Sequence, residues 1–168
     1  MITKGECSRY GAGAIEFFCP EVIIGNYTVI AEKVIFCGQM NYPCVQDIDR
    51  VSNYPFGTEF GGDYHVGYSR GTINIGNDIF IGYESVILDG VTIGDGARIG
   101  MRTVVNKDVP PYAVVVGNPM IIKKYRFPPE KIEKLLKIKW WNWNKDVIKE
   151  RVQDFRNIDS FIEKYAEK

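Results

Sequence analysis

The chain has a single histidine, His65, in 168 residues, so chemistry that needs an imidazole has one residue to call on. It has no net charge: 21 basic residues balance 21 acidic ones, which leaves no global field to recruit nucleic acid. No stretch approaches the roughly 20 consecutive apolar residues of a membrane span. The N-terminus lacks a basic-then-apolar leader, and a cytoplasmic location is expected. Four cysteines (Cys7, Cys19, Cys37 and Cys44) form no CxxC pair, so no metal is expected. Cys19 and Cys37 stand eighteen residues apart and are expected to be free, packed thiols in a reducing compartment.

What the chain does have is a beat. Ile75, Ile81, Ile87, Ile93, Ile99 and Val105 recur every sixth residue. A second row of small or β-branched residues runs two positions earlier: Ile73, Ile79, Ser85, Val91, Ala97 and Thr103. A helix repeats at 3.6 residues and a strand at two, so neither alone produces a period of six. A solenoid does, if each hexad is one short flat side and three sides close a coil of eighteen residues. Gly76, Gly82, Gly94 and Gly100 follow the markers, where a sharp bend suits glycine; Leu88 and Asn106 interrupt that row.

Upstream, Ala12, Phe18, Ile24, Ile30 and Phe36 keep the same step, with Val22, Thr28 and Val34 on the second row. Phase is lost between about residues 37 and 70, a stretch carrying Pro43, Pro55, Gly57, Gly61, Gly62 and Gly67. It reads as a long excursion from a rigid scaffold, the kind of loop that carries function. Beyond residue 126 the beat gives way to helical spacing at Ile132, Leu135 and Leu136, with Pro128 and Pro129 at a helix start and a second helix beginning near Asn144. The expected organisation is a coil domain over residues 1–126 and a helical segment over 127–168. Trp140, Trp141 and Trp143 are expected to cover the open end of the coil, which exposes unpaired strand edges.

The stretch "GNDIFIGYESVILDGVTIGDGARIGMRTVVNKDVPPYAVVVGNP" with "RFPPEKIEKLLKIKWWNW" resembles the hexapeptide-repeat acyltransferases. The nearest group is the xenobiotic (type B chloramphenicol and streptogramin) acetyltransferases and their polysaccharide O-acetyltransferase relatives. The resemblance implies an all-β left-handed parallel β-helix with an excursion loop and a C-terminal α-helical appendage. It also implies a homotrimer, with acetyl-coenzyme A in the groove between neighbouring subunits. Carried over position by position, it places Tyr83 and Met101 at the pantetheine amides through their backbones. Asn106 and Lys107 fall at the turn of the last coil, and Lys124, or Lys123 in its place, at the coenzyme's phosphates.

The family also places a histidine in the excursion, as general base for the attacking hydroxyl. Here "CGQMNYPCVQDIDRVSNYPF" has none: aligning from Asp49 to Phe56 puts Gln46 at that position, and aligning from Gly38 puts Asn41 there. Neither amide accepts a proton at neutral pH. Three readings stay open. His65 folds back as the base, oriented by Asp63 or Asp49. Alternatively Asp47, Asp49, Tyr42 or Cys44 serves, a carboxylate through a raised pKa or the thiol through an acyl intermediate. In the third, the scaffold binds without turnover. The expected activity is acetyl transfer from acetyl-coenzyme A to a hydroxyl, or to an already nucleophilic amine, of a small acceptor. A sugar is preferred to an antibiotic because the excursion departs from the drug-modifying pattern.

Overall fold

The computed structural model describes residues 2–10, 15–17, 21–38, 51, 60–61 and 69–166. Short strands of two to five residues make three sheets that the chain visits in turn. The first sheet holds β1 (Ile2–Lys4), β4 (Val22–Ile24), β7 (Ile73–Ile75) and β10 (Thr92–Ile93). The second holds β2 (Arg9–Tyr10), β5 (Val29–Ile30), β8 (Phe80–Ile81), β11 (Arg98–Ile99), β13 (Ala113–Val116) and β14 (Ile121–Tyr125). The third holds β3 (Ile15–Phe17), β6 (Ile35–Cys37), β9 (Val86–Leu88) and β12 (Val104–Val105). All pairs are parallel except β13 with β14.

Register explains the sixfold spacing. Ile75 pairs with Ile93, Ile81 with Ile99 and Ile87 with Val105, one pair in each sheet and each eighteen residues apart. All six side chains point inward and are at most 3% exposed. The second row is buried too, and its polar members are satisfied. Thr28 Oγ1 donates to the Gly76 carbonyl at 3.0 Å and Ser85 Oγ to the Gly100 carbonyl at 2.9 Å; Thr103 Oγ1 accepts from the Gly117 N–H at 3.2 Å. Ile24 pairs with Ile75 and Phe36 with Ile87, as though the excursion between them were absent.

The beat is less regular at both ends than the spacing suggested. Lys4, Tyr10 and Glu16 lie opposite Ile24, Ile30 and Phe36, twenty residues away. The register therefore slips by two before Val22; Ala12 and Phe18 lie outside the described residues. At the other end Val109 pairs with Ile93 and Val115 with Ile99, so the last coil is two residues short.

The glycine row also has a different cause from the one expected. Gly76, Gly82, Gly94 and Gly100 are absent from the positive-φ residues, which fall instead two positions later at Asp78, Glu84, Gly96 and Arg102. A Cβ on Gly82 would come within 2.6 Å of the Met101 N in the next coil. Close stacking of coils, not backbone freedom, demands glycine there.

The C-terminal segment forms α1 (Pro129–Ile138), α2 (Lys145–Arg151) and α3 (Ile158–Tyr165), with single 3-10 turns at Trp140–Asn142 and Asp154–Arg156. Proline opens α1, while Asn144 and Asn157 cap α2 and α3 through side-chain oxygens. The spacing had suggested two helices; Phe155 belongs to a turn before a third. Among the described residues no helix is long and apolar enough to cross a membrane. Cys37 is a free thiol, while Cys19 lies outside the described residues.

These helices run down one corner of the coil, between the first and second sheets, instead of capping its open end. Tyr112 of the last coil meets Phe127 with ring centroids 5.8 Å apart. Arg126 Nη1 reaches Asp78 at 3.0 Å and the Gly96 carbonyl at 2.6 Å. Trp140 packs on Tyr27 at 5.2 Å, the Trp141 carbonyl accepts from Asn26 Nδ2 at 3.1 Å, and Lys145 reaches Glu6 at 3.6 Å. Trp141 is buried against that corner.

Arg126 is the pin of this contact. Burial raises the Asp78 carboxyl above the ordinary range, and Arg126 opposes the shift. A carboxylate raised in the folded state costs stability above its folded pKa and nothing below its unfolded one. Removing the counter-charge raises it further. Arg126→Gln is therefore expected to cost about 1–3 kcal/mol at pH 7 and clearly less at pH 4, measured by urea unfolding at both values; a deficit that does not shrink at pH 4 contradicts this.

Candidate active-site groove

Three columns of turns join the sheets, one per corner, and they are not chemically alike. At the corner between the first and second sheets, the second residue after each marker carries an amide or carboxylate. Asn26 Oδ1 accepts from the Glu6 N–H at 2.7 Å, Asn77 Oδ1 from the Asn26 N–H at 2.8 Å, and Asp95 Oδ1 from the Asn77 N–H at 2.8 Å. This ladder satisfies backbone donors that the turn leaves unpaired, and the helical segment then covers it.

At the corner between the second and third sheets, the equivalent positions are Glu32, then Tyr83 and Met101 in the following coils. Neither Tyr83 nor Met101 offers a side-chain oxygen of that reach. The turns are still tied coil to coil, since the Arg102 N–H donates to the Tyr83 carbonyl at 2.8 Å. The Tyr83 and Met101 N–H groups, however, have no acceptor among the described residues. Met101 is 68% exposed, and among the described residues the C-terminal helices lie on a different corner. Arg102 Nε pairs with Glu84 Oε2 at 2.8 Å, and Lys33 Nζ lies 5.5 Å from the Tyr83 ring centre. Arg102 first, then Tyr83, holds the Glu84 carboxyl below its ordinary range. The corner thus carries two open donors one coil apart, beside a charged strip.

The third corner, between the third and first sheets, is the root of the excursion. β6 ends at Cys37 and the chain is back in the first sheet at Ile73. Asp89 holds the returning strand: its Oδ2 accepts from Ser69 Oγ and from the Arg70 N–H, both at 2.8 Å. Gly90, with φ +69°, leaves room where a Cβ would strike Arg70 Cβ at 2.5 Å. Arg70 Nη1 reaches the Asn106 carbonyl at 3.4 Å. Asn106 and Lys107 are exposed on this same corner.

The sequence-derived candidates therefore fall into separate places. Tyr83 and Met101 share one corner, and Asn106 and Lys107 sit on the next, with the outward face of the third sheet (Ile35, Val86 and Val104) between them. Lys124 lies opposite Val114 on β14, and Lys123 is the bulged residue beside it, both exposed on the antiparallel edge strand. Within one chain these six do not converge. His65, Asp49, Gln46 and Asn41 lie outside the described residues, as do Asp47, Tyr42, Cys44 and Asp63. Asp89 was not anticipated; the one signal for it was Leu88 breaking the glycine row.

Comparison with known proteins fits this geometry. The family model described as bacterial transferase hexapeptide (six repeats) matches residues 72–107. A chloramphenicol acetyltransferase from Morganella morganii is 51% identical over 149 residues, covering 86% of this chain and 70% of the relative. A maltose O-acetyltransferase structure from Clostridium difficile 630 aligns with TM-score 0.57 at 28% identity, over 74% of this chain and 58% of that one. A hexapeptide-repeat acetyltransferase from Vibrio cholerae O1 biovar eltor, complexed with acetyl-coenzyme A, aligns with TM-score 0.57 at 25% identity, over 74% and 60%. The chain spans less than two thirds of both structures.

A substitution that forces two coils apart at the open corner tests its geometry. Gly82→Ala is expected to destabilise by about 1–3 kcal/mol through the clash with Met101 N, read as a lower urea midpoint. Wild-type stability would mean the turns are not stacked as described.

Proposed function

This chain belongs to the hexapeptide-repeat acetyltransferases, and on that premise we propose that it transfers an acetyl group from acetyl-coenzyme A to a hydroxyl or amino group of a sugar or similar small acceptor. The observation that carries this reading is the pair of N–H groups at Tyr83 and Met101, one coil apart and without an acceptor among the described residues. A pantetheine arm has amide carbonyls to accept them, and the related Vibrio cholerae structure holds acetyl-coenzyme A.

The coil, read as a left-handed parallel β-helix over residues 1–126 with the helical segment over 127–168, forms a homotrimer. Two features support association: Val29 and Phe80 are 42% and 45% exposed side by side on the second sheet, and every residue of β14 is exposed, including Ile121, Ile122 and Tyr125. A cyclic assembly buries such faces without leaving an open edge. It also gives the groove a second wall, so that candidates dispersed in one chain face each other across two. Tyr83 and Met101 then hold the pantetheine, Asn106 and Lys107 line the opposite side, and Lys123 or Lys124 meets the phosphates.

The thioester carbonyl is attacked directly by the acceptor, with a backbone N–H of the groove wall stabilising the oxyanion. His65 takes the acceptor's proton, oriented by Asp63 or Asp49, since Gln46 or Asn41, whichever alignment holds, stands where the family's histidine would be and neither accepts a proton. Loss of a general base costs roughly 10²–10⁴ in rate. A thiol-release assay with acetyl-coenzyme A over a panel of sugars and chloramphenicol is expected to show turnover that His65→Ala lowers by that factor. Equal rates in the two proteins remove His65 from the role. No release with any acceptor removes the activity itself. A second reading, an antibiotic acceptor, is favoured by the 51% identical chloramphenicol acetyltransferase, and chloramphenicol turnover faster than any sugar would select it.

Met101→Asn tests the coenzyme contact separately. Its Oδ1 is placed to accept from the Tyr83 N–H, as Asn77 does from Asn26. The variant is expected to gain about 0.5–1.5 kcal/mol of stability and to bind acetyl-coenzyme A roughly tenfold more weakly, about 1.4 kcal/mol, by calorimetry. Unchanged affinity would place the pantetheine elsewhere.

A further inference from the structure

We infer that the recess where α1, α2 and α3 meet is a binding site for a phosphate-bearing anion. Lys134 and Lys137 on α1, Arg151 on α2, Trp143, Ile138 and Tyr165 line a cavity of 430 Å³. The two lysines are three residues apart and so share a helix face. None of the three cations has a carboxylate within ion-pair distance among the described residues. Asp154, whose carboxylate feels the Arg151 charge, is already engaged by Lys164 Nζ at 2.8 Å and by the Tyr165 hydroxyl at 2.6 Å.

Arg151 is also held in place. Its Cζ lies 4.9 Å from the Trp143 ring centre and 4.8 Å from that of Tyr165, and Trp143 is itself stacked on Phe161 at 5.7 Å and 25°. The rings fix the guanidinium by its faces and leave its edges, which carry five N–H donors, with no hydrogen-bond partner among the described residues. A rigid guanidinium with free edges matches the paired oxygens of a phosphate, and two lysines supply further charge. A helix C-terminus accounts for Lys137 in the last turn of α1 and for Arg151 at the end of α2; it does not account for Lys134, or for all three lining one recess. An anion seated in the recess would face all three cations at once, none of which is in an ion pair among the described residues.

The site stands on this geometry alone; only the identity of the phosphate's bearer rests on the proposed acetyl transfer. Two bearers share the chemistry: the nucleotide end of the coenzyme and a phosphorylated acceptor.

The test is calorimetric titration of the intact protein with pyrophosphate, adenosine 3′,5′-bisphosphate and glucose 1-phosphate at low ionic strength. It is run on wild type, Lys134→Gln/Lys137→Gln, Arg151→Gln and, as control, Lys149→Gln, whose lysine pairs with Asp146 at 3.2 Å. Wild type is expected to bind at least one probe with a submillimolar constant. Binding should weaken at least tenfold in Arg151→Gln and in the double variant, whose substitutions fall on the α1 surface, and hold in Lys149→Gln. Adenosine 3′,5′-bisphosphate binding tighter than the sugar phosphate assigns the site to the coenzyme end; the reverse order assigns it to a phosphorylated acceptor. No binding by wild type below about 10 mM, or equal affinity in the double variant, overturns the inference. Thiol release that persists in either case leaves the acetyltransferase reading standing, so the two can fail separately.

Discussion

Everything in this molecule depends on coils stacked at one strand spacing, roughly 4.8 Å. At that distance the interior admits one apolar column per side, which is why Ile75, Ile81 and Ile87 are followed by Ile93, Ile99 and Val105. It also brings turn against turn closely enough that Gly82 has no space for a methyl group. The same stacking turns each corner into a column of repeated backbone positions. Side chains at one place in the turn stack along the axis, and together they set the chemical character of that corner.

That repetition separates structure from function along the circumference. One corner is closed by the ladder of Asn26, Asn77 and Asp95 and covered by aromatic packing from the helical segment. A second anchors the returning excursion through Asp89. The remaining corner leaves the Tyr83 and Met101 backbone donors without an acceptor among the described residues. An enzyme that must hold an extended, amide-bearing carrier can use such a corner directly: the scaffold's own backbone spacing sets the spacing of the donors, and only the identity of two side chains keeps them open.

Much of this was legible in the sequence, because a period of six has few physical explanations. The inward rows, the excursion interrupting them and the helix starting at Pro129 all followed from spacing. The family resemblance suggested Tyr83 and Met101, and the structure adds why these positions differ from Asn26 and Asn77. Other features were hidden. Periodicity alone could not show that the pairs before Val22 stand twenty residues apart and not eighteen. Nor could it say whether three tryptophans cap an end or line a corner, since both bury indoles equally well. The glycine row was read for conformational freedom when its cause was contact between coils, a distance that no single turn encodes. Asp89 escaped because its partners, Ser69 and Arg70, reach it only after a long excursion.

The account turns on Tyr83 and Met101 presenting unpaired backbone donors that the coenzyme engages. Residue-resolved amide hydrogen exchange, compared between the free protein and the protein saturated with acetyl-coenzyme A, tests this directly. In the free protein the Tyr83 and Met101 amides should exchange far faster than those of Asn26 and Asn77, and they should become protected when the coenzyme binds. Slow exchange of both in the free protein, or exchange that the bound coenzyme leaves unchanged, would contradict it.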